Sequence, residues 1–165
     1  MNKILLLSFY TLCFLCCSPV IHLELNSEFK ETGMNNTLIF IPDGSCVSSY
    51  RVIDNNIEYD IGVYKNTIIF ISTSDKDFTV NGLRVNDHMP ASMLNRDIGF
   101  RSGWGYYVEI VSGWYAGFDY GKRPTIDSPI LFFFKYDFDG HIVDYDKLYK
   151  EEKDKIEDLR SIATP

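Results

Sequence analysis

Past residue 17 the sequence holds a single cysteine, Cys46, so a chain trimmed that far has no internal disulfide framework. Cys46 lies in the turn-like stretch PDGSCVSS with no neighbouring Lys or Arg to favour a thiolate, which argues against an activated nucleophile. Positive charge is also scarce: 16 Lys and Arg against 23 Asp and Glu give a net charge of −7, and the basic residues form no cluster. A phosphate-tracking surface is thereby excluded, and nucleic acid with it. The three histidines, His22, His88 and His141, fall outside any zinc spacing. Neither a glycine-rich phosphate loop nor a G-x-S-x-G elbow is present. KYDFDGHIVDYD sets Asp137, Asp139 and Asp146 near calcium-loop positions. Lys135 takes the first ligand position, however, so an Asp-Gly turn is expected instead. The sequence therefore calls for no metal, cofactor or small-molecule substrate, and it reads as non-enzymatic.

What the chain does have begins at its N-terminus. MNKILLLSFYTLCFLCCSP opens with Lys3 and runs apolar from Ile4 to Leu15, the order of a secretory signal peptide. That run falls short of the ~20 residues a helix needs to cross a bilayer. Phe14-Leu15-Cys16-Cys17-Ser18 resembles the bacterial lipobox, and the resemblance implies cleavage before Cys17 and a lipid on its thiol. The expected organisation is a signal peptide over residues 1–16, a lipidated tether over 17–24 and one domain over 25–165. The alternative is ordinary cleavage near Pro19 and release as a secreted protein.

Hydrophobic residues make up 45% of the chain, enough to build a core in a protein this long. VIHLEL alternates as a half-buried strand does, and TLIFI (37–41) is a short strand ended by PDGS. YRVI, IEYDIGVY and TIIFIS, separated by Asp54-Asn55-Asn56 and Lys65-Asn66, read as an antiparallel meander. Asn86 or Asp87 can cap a short helix running to Leu94, with Met89, Met93 and Leu94 on one face. PILFFFKYDF reads as a strand buried on both faces. VDYDKLYKEEKDKIEDLRS has Tyr145, Leu148, Tyr149, Ile156 and Leu159 near helical spacing. The expected class is α+β: a mainly antiparallel sheet, one short central helix and a C-terminal amphipathic helix.

RSGWGYYVEIVSGWYAGFDYG is the densest aromatic stretch. A two-residue loop at Ser112-Gly113 sets Val111 opposite Trp114, Glu109 opposite Ala116 and Tyr107 opposite Phe118. Ile110 with Tyr115 and Val108 with Gly117 then share the other face. Such a hairpin, apolar on both sides, belongs inside a sheet or against a partner. Trp104, Tyr106, Trp114 and Tyr115 are the candidate partner-binding residues.

DKDFTVNGLRVNDHMPASML (75–94) resembles a segment of small bacterial cell-envelope lipoproteins. It is also similar to a repeat unit of β-lactamase-inhibitor-like and outer-membrane-assembly lipoprotein domains, through Phe78, Gly82, Leu83 and Val85. The resemblance implies a non-enzymatic interaction domain tethered to an envelope membrane, with an envelope protein as partner. Two competitors are an inhibitor or immunity-type protein whose acidic surface caps another protein, and a hydrolase whose site forms only on folding.

Overall fold

A computed structural model describes residues 23–30, 35–93 and 96–139. Eight strands form one antiparallel sheet in two meanders. The first comprises β1 (Thr37–Phe40), β2 (Cys46–Asp54), β3 (Ile57–Tyr64) and β4 (Thr67–Thr73). Its turns fall where the Asn-rich breaks predict. Asn55-Asn56 (φ 49° and 65°) and Lys65-Asn66 (φ 48° and 60°) place both central residues in the left-handed region. Asn tolerates that region, and it gives tight hairpins their twist.

The chain then crosses one face of the sheet as the small hairpin β5 (Thr79–Val80) and β6 (Leu83–Arg84), followed by a single 3-10 turn, Ala91–Met93. It enters the far edge as β7 (Ile98–Arg101) and returns through β8 (Gly105–Val111) and β9 (Trp114–Gly117). β10 (Phe132–Tyr136) inserts between β9 and β4, giving the order β1-β2-β3-β4-β10-β9-β8-β7. β10 therefore joins the meanders, and its Phe run follows from that central place: Phe133 and Phe134, pointing to opposite faces, are both fully buried.

On the crossed face Val80, Met89, Met93, Val108, Ile110, Ala116 and Phe133 pack together. Further along the same face Phe29 joins Tyr50, Val52, Ile61 and Ile71. Phe78 spans the two groups, its ring 5.7 Å from Tyr59, 4.9 Å from Trp114 and 5.9 Å from Phe133. On the other face Ile39 of the first strand and Trp104 of the β7–β8 turn enter one cluster with Phe70 and Phe134, so the sheet coils around it. A bulge helps: Gly62 pairs with Phe70 and Val63 with Ile68, leaving Ile69 as an extra residue. Ile69 and Phe70 thus both enter this cluster.

The α+β expectation is corrected: the described residues carry ten strands and no helix beyond the three-residue 3-10 turn. The central helix gives way to a ladder-like pairing of residues 86–89 with residues 128–130. Asn86 N–H donates to Ile130 O at 2.8 Å, Ile130 N–H to Asp87 O at 2.9 Å and Met89 N–H to Ser128 O at 3.1 Å. Asp87 is no helix cap either, since its carboxylate accepts from the Arg84 N–H behind it at 2.7 Å. Met89 and Met93 are nevertheless buried, as their shared face implied. The C-terminal amphipathic helix lies outside the described residues. Of VIHLEL, residues 23–25 form no strand; Leu23 and Leu25 pack half-buried near Phe29, and the adjoining segment lies along the start of β4 through the Glu28–Thr67 bridge, with Asn26 N–H donating to Ile68 O at 2.8 Å and Ile68 N–H to Ser27 O at 3.0 Å.

Candidate functional site

β7, β8 and β9 carry a cleft of about 550 Å³, open to solvent and lined by Ile98, Gly99, Tyr107, Glu109, Tyr115 and Phe138, with Arg96 and Asp97 at its entrance. Its form begins with a glycine. Gly99 stands opposite Tyr107 in the register, and the Tyr107 ring lies over it where any Cβ would collide. That ring stacks on Phe138 at 4.9 Å and 12° and meets Tyr115 edge-on at 5.8 Å. Tyr115 in turn stacks on buried Phe134 at 5.2 Å. The aromatic wall is thus fixed from behind by the core.

The polar rim depends on a second bulge. Val111 pairs with Trp114 as the loop predicts, but Glu109 faces Tyr115 and Val108 faces Ala116, so Ile110 is the extra residue. The expected pairs Glu109–Ala116 and Tyr107–Phe118 therefore give way to a register displaced by one. The bulge leaves Ile110 outside the ladder. Arg96 Nη1 donates to both Glu109 O and Ile110 O, each at 2.8 Å. The Glu109 carboxylate accepts from Gly113 N–H at 3.1 Å, tying the rim to the hairpin turn. Arg96→Ala is expected to cost about 1 kcal/mol, because one exposed and one part-buried carbonyl lose a charged donor. Urea unfolding of the variant beside wild type measures it, and hydrogen exchange should quicken first around Glu109–Val111.

Burial pushes the Tyr115 hydroxyl above the ordinary tyrosine range, helped by Glu109, Tyr107, Asp139 and Asp137. The wall therefore presents a protonated phenol at neutral pH. The described lining contains no Ser, Thr, Cys, Lys or His. It offers aromatic contact, hydrogen bonds and charge of both signs.

The four aromatic candidates part company. Trp104 and Tyr115 join the cluster around Phe70 and Phe134, while Tyr106 and Trp114 pack on the opposite face. Only Tyr115 reaches the cleft. Trp104 is set edge-on to Phe70, Phe132 and Phe134, and its buried indole N–H finds no hydrogen-bond acceptor. The ring faces beside it are weak acceptors at best. Lys135 lies over the Trp114 ring at 5.1 Å. Arg96, Asp97, Gly99, Glu109 and Phe138 escape a sequence reading because they meet only through the sheet's strand order and register; a glycine paired with a tyrosine on the next strand is the one hint.

Elsewhere, Cys46 is half-buried at the start of β2 and His88 is exposed, bridging Pro129. Cys17, His22 and His141 lie outside the described residues. Among the described residues no three His, Cys, Asp or Glu side chains converge as a metal site. No family model, curated protein or solved structure matches this chain.

Proposed function

We propose that the chain is an exported binding module of the bacterial envelope, held to a membrane by a lipid on Cys17, that engages an envelope protein through the β7–β9 cleft. The observation that carries the binding reading is the cleft itself: an aromatic wall braced by the core, a rim carrying Arg96, Asp97 and Glu109, and a mouth open to solvent. Large rigid rings beside fixed polar groups suit a protein side chain or loop, since they lose little freedom on contact. The placement rests on the order of Lys3, the apolar stretch to Leu15 and Cys17. No helix among the described residues is long and apolar enough to cross a membrane. An inhibitor-type protein would use the same cleft without the tether, supported by the net charge of −7.

The test is the intact mass of the processed chain beside Cys17→Ala, combined with a photo-crosslinker at Asp97 and a control at the exposed Ile53. The tethered reading expects a chain beginning at Cys17 with added acyl mass, lost in the variant. It also expects one defined adduct from position 97 and none from 53. An unmodified chain beginning near Pro19 would overturn the tether, and equal adducts from both positions would overturn the cleft.

A further inference from the structure

The sheet has two edges, and they differ. β7 ends in Arg101, and its Gly99 lies beneath the Tyr107 ring. Among the described residues, β1 carries no charge, no proline and no bulge in its pairing with β2 to discourage strand addition. Its free edge can be located from the ladder. Ile41 N–H donates to Ser45 O at 3.0 Å, and two steps back along the register Ile39 stands opposite Val47 and Thr37 opposite Ser49. Hydrogen-bonded pairs alternate in an antiparallel ladder. Thr37, Ile39 and Ile41 are therefore bonded inward, and the N–H and C=O groups of Leu38 and Phe40 point out of the sheet. The side chains of the same two residues share one face and are 52% and 64% exposed.

The geometry points to β1 as a homodimer interface, in which β1 of a second copy adds antiparallel about a two-fold axis through Ile39. In that register the outward groups of Leu38 meet those of Phe40 of the other copy, twice over. The two exposed side chains face each other at cross-strand spacing, and Ile39 meets its counterpart on the opposite face. An identical copy suits this edge because residues 35–42 carry no charge in a chain whose net charge is −7. Two acidic molecules can approach there without like charges in register. Pairing β1 with β7 of another copy would instead leave an edge open at each end and propagate a filament. Four residues per strand bury less than the ~1,200 Å² of a standard stable complex, so the dimer is weak, forming between roughly 10 µM and 1 mM.

The experiment is sedimentation velocity on the full chain as its host processes it, in excess non-ionic micelles, for wild type and Leu38→Lys/Phe40→Lys. Both positions are exposed, and lysine is a natural edge residue, so the variant should keep the wild-type melting temperature within about 2 °C. Wild type is expected to approach twice the protomer mass across that range while the variant stays at one. Hydrogen exchange on wild type provides a readout that needs no variant. The amides of Leu38 and Phe40 should become protected only at high concentration, while those of Thr37 and Ile39 are protected throughout. A wild-type chain that stays monomeric to about 1 mM, a variant that associates as wild type does, or a dimer that leaves the Leu38 and Phe40 amides unprotected would each overturn the proposal.

Discussion

Phe134→Ala is expected to destabilise the fold by about 3–5 kcal/mol, a large part of what a domain of this size has. Phe134 is fully buried at the centre of β10, the strand that joins the two meanders. Its ring lies 6.0 Å from Phe70, 5.5 Å from Trp104, 6.0 Å from Tyr107, 5.2 Å from Tyr115 and 5.8 Å from Phe132. Truncation leaves a cavity that four strands border, and a sheet pinned by its own ladder collapses into it poorly. At roughly 2–4 °C per kcal/mol the melting temperature should fall by about 10 °C. Ile53→Ala, at a side chain 71% exposed, should change stability by less than about 0.5 kcal/mol in the same measurement. Loss of the Phe134 face also removes the backing of Tyr115, so the cleft wall should loosen before the protein unfolds. A loss no larger than that of Ile53→Ala would mean that the coil of the sheet does not rest on this cluster.

The strands and turns of the first meander were legible because period-two patterning and Asn-rich breaks are local signals. Asn55-Asn56 and Lys65-Asn66 name their own turn geometry. The central place of β10 was legible too, since Phe132, Phe133 and Phe134 in succession satisfy a strand only when both its faces are covered. Residues 86–93 read as helix because cap, proline and methionine spacing are all local, whereas their competitor is residues 128–130, some forty positions on. Bulges at Ile69 and Ile110 were equally hidden: each reverses which face the following residues occupy, and no composition marks them. The site suffered most. The aromatic residues of 101–121 were conspicuous, yet the sheet divides Trp104 and Tyr115 from Tyr106 and Trp114, and a cleft emerges only where the register brings Gly99 beneath Tyr107.

Asp43→Ala is expected to cost about 2–3 kcal/mol, although the residue is only half-buried and lies in a hairpin loop. The loop, Pro42-Asp43-Gly44, closes β1 onto β2, with Gly44 at φ 87° and its N–H donating to Ile41 O at 2.9 Å. One carboxylate oxygen of Asp43 accepts from Ser45 N–H at 2.9 Å and Ser45 Oγ at 2.7 Å. The other accepts from the Tyr136 hydroxyl at 2.6 Å, across 93 residues of chain, and so fastens the first hairpin to the last described strand. Truncation takes one charged acceptor from the buried Tyr136 hydroxyl and another from the two Ser45 donors, and the loss of these charge-assisted bonds is most of the cost. Tyr136→Phe removes the same contact with no orphaned donor on the tyrosine side, and its loss should be smaller, about 1–2 kcal/mol. The double variant Asp43→Ala/Tyr136→Phe should then lose less than the sum of the two single losses, because both remove the same hydrogen bond. Urea titrations of the three variants decide it. Strict additivity of the two single losses would mean that the bond carries no coupling.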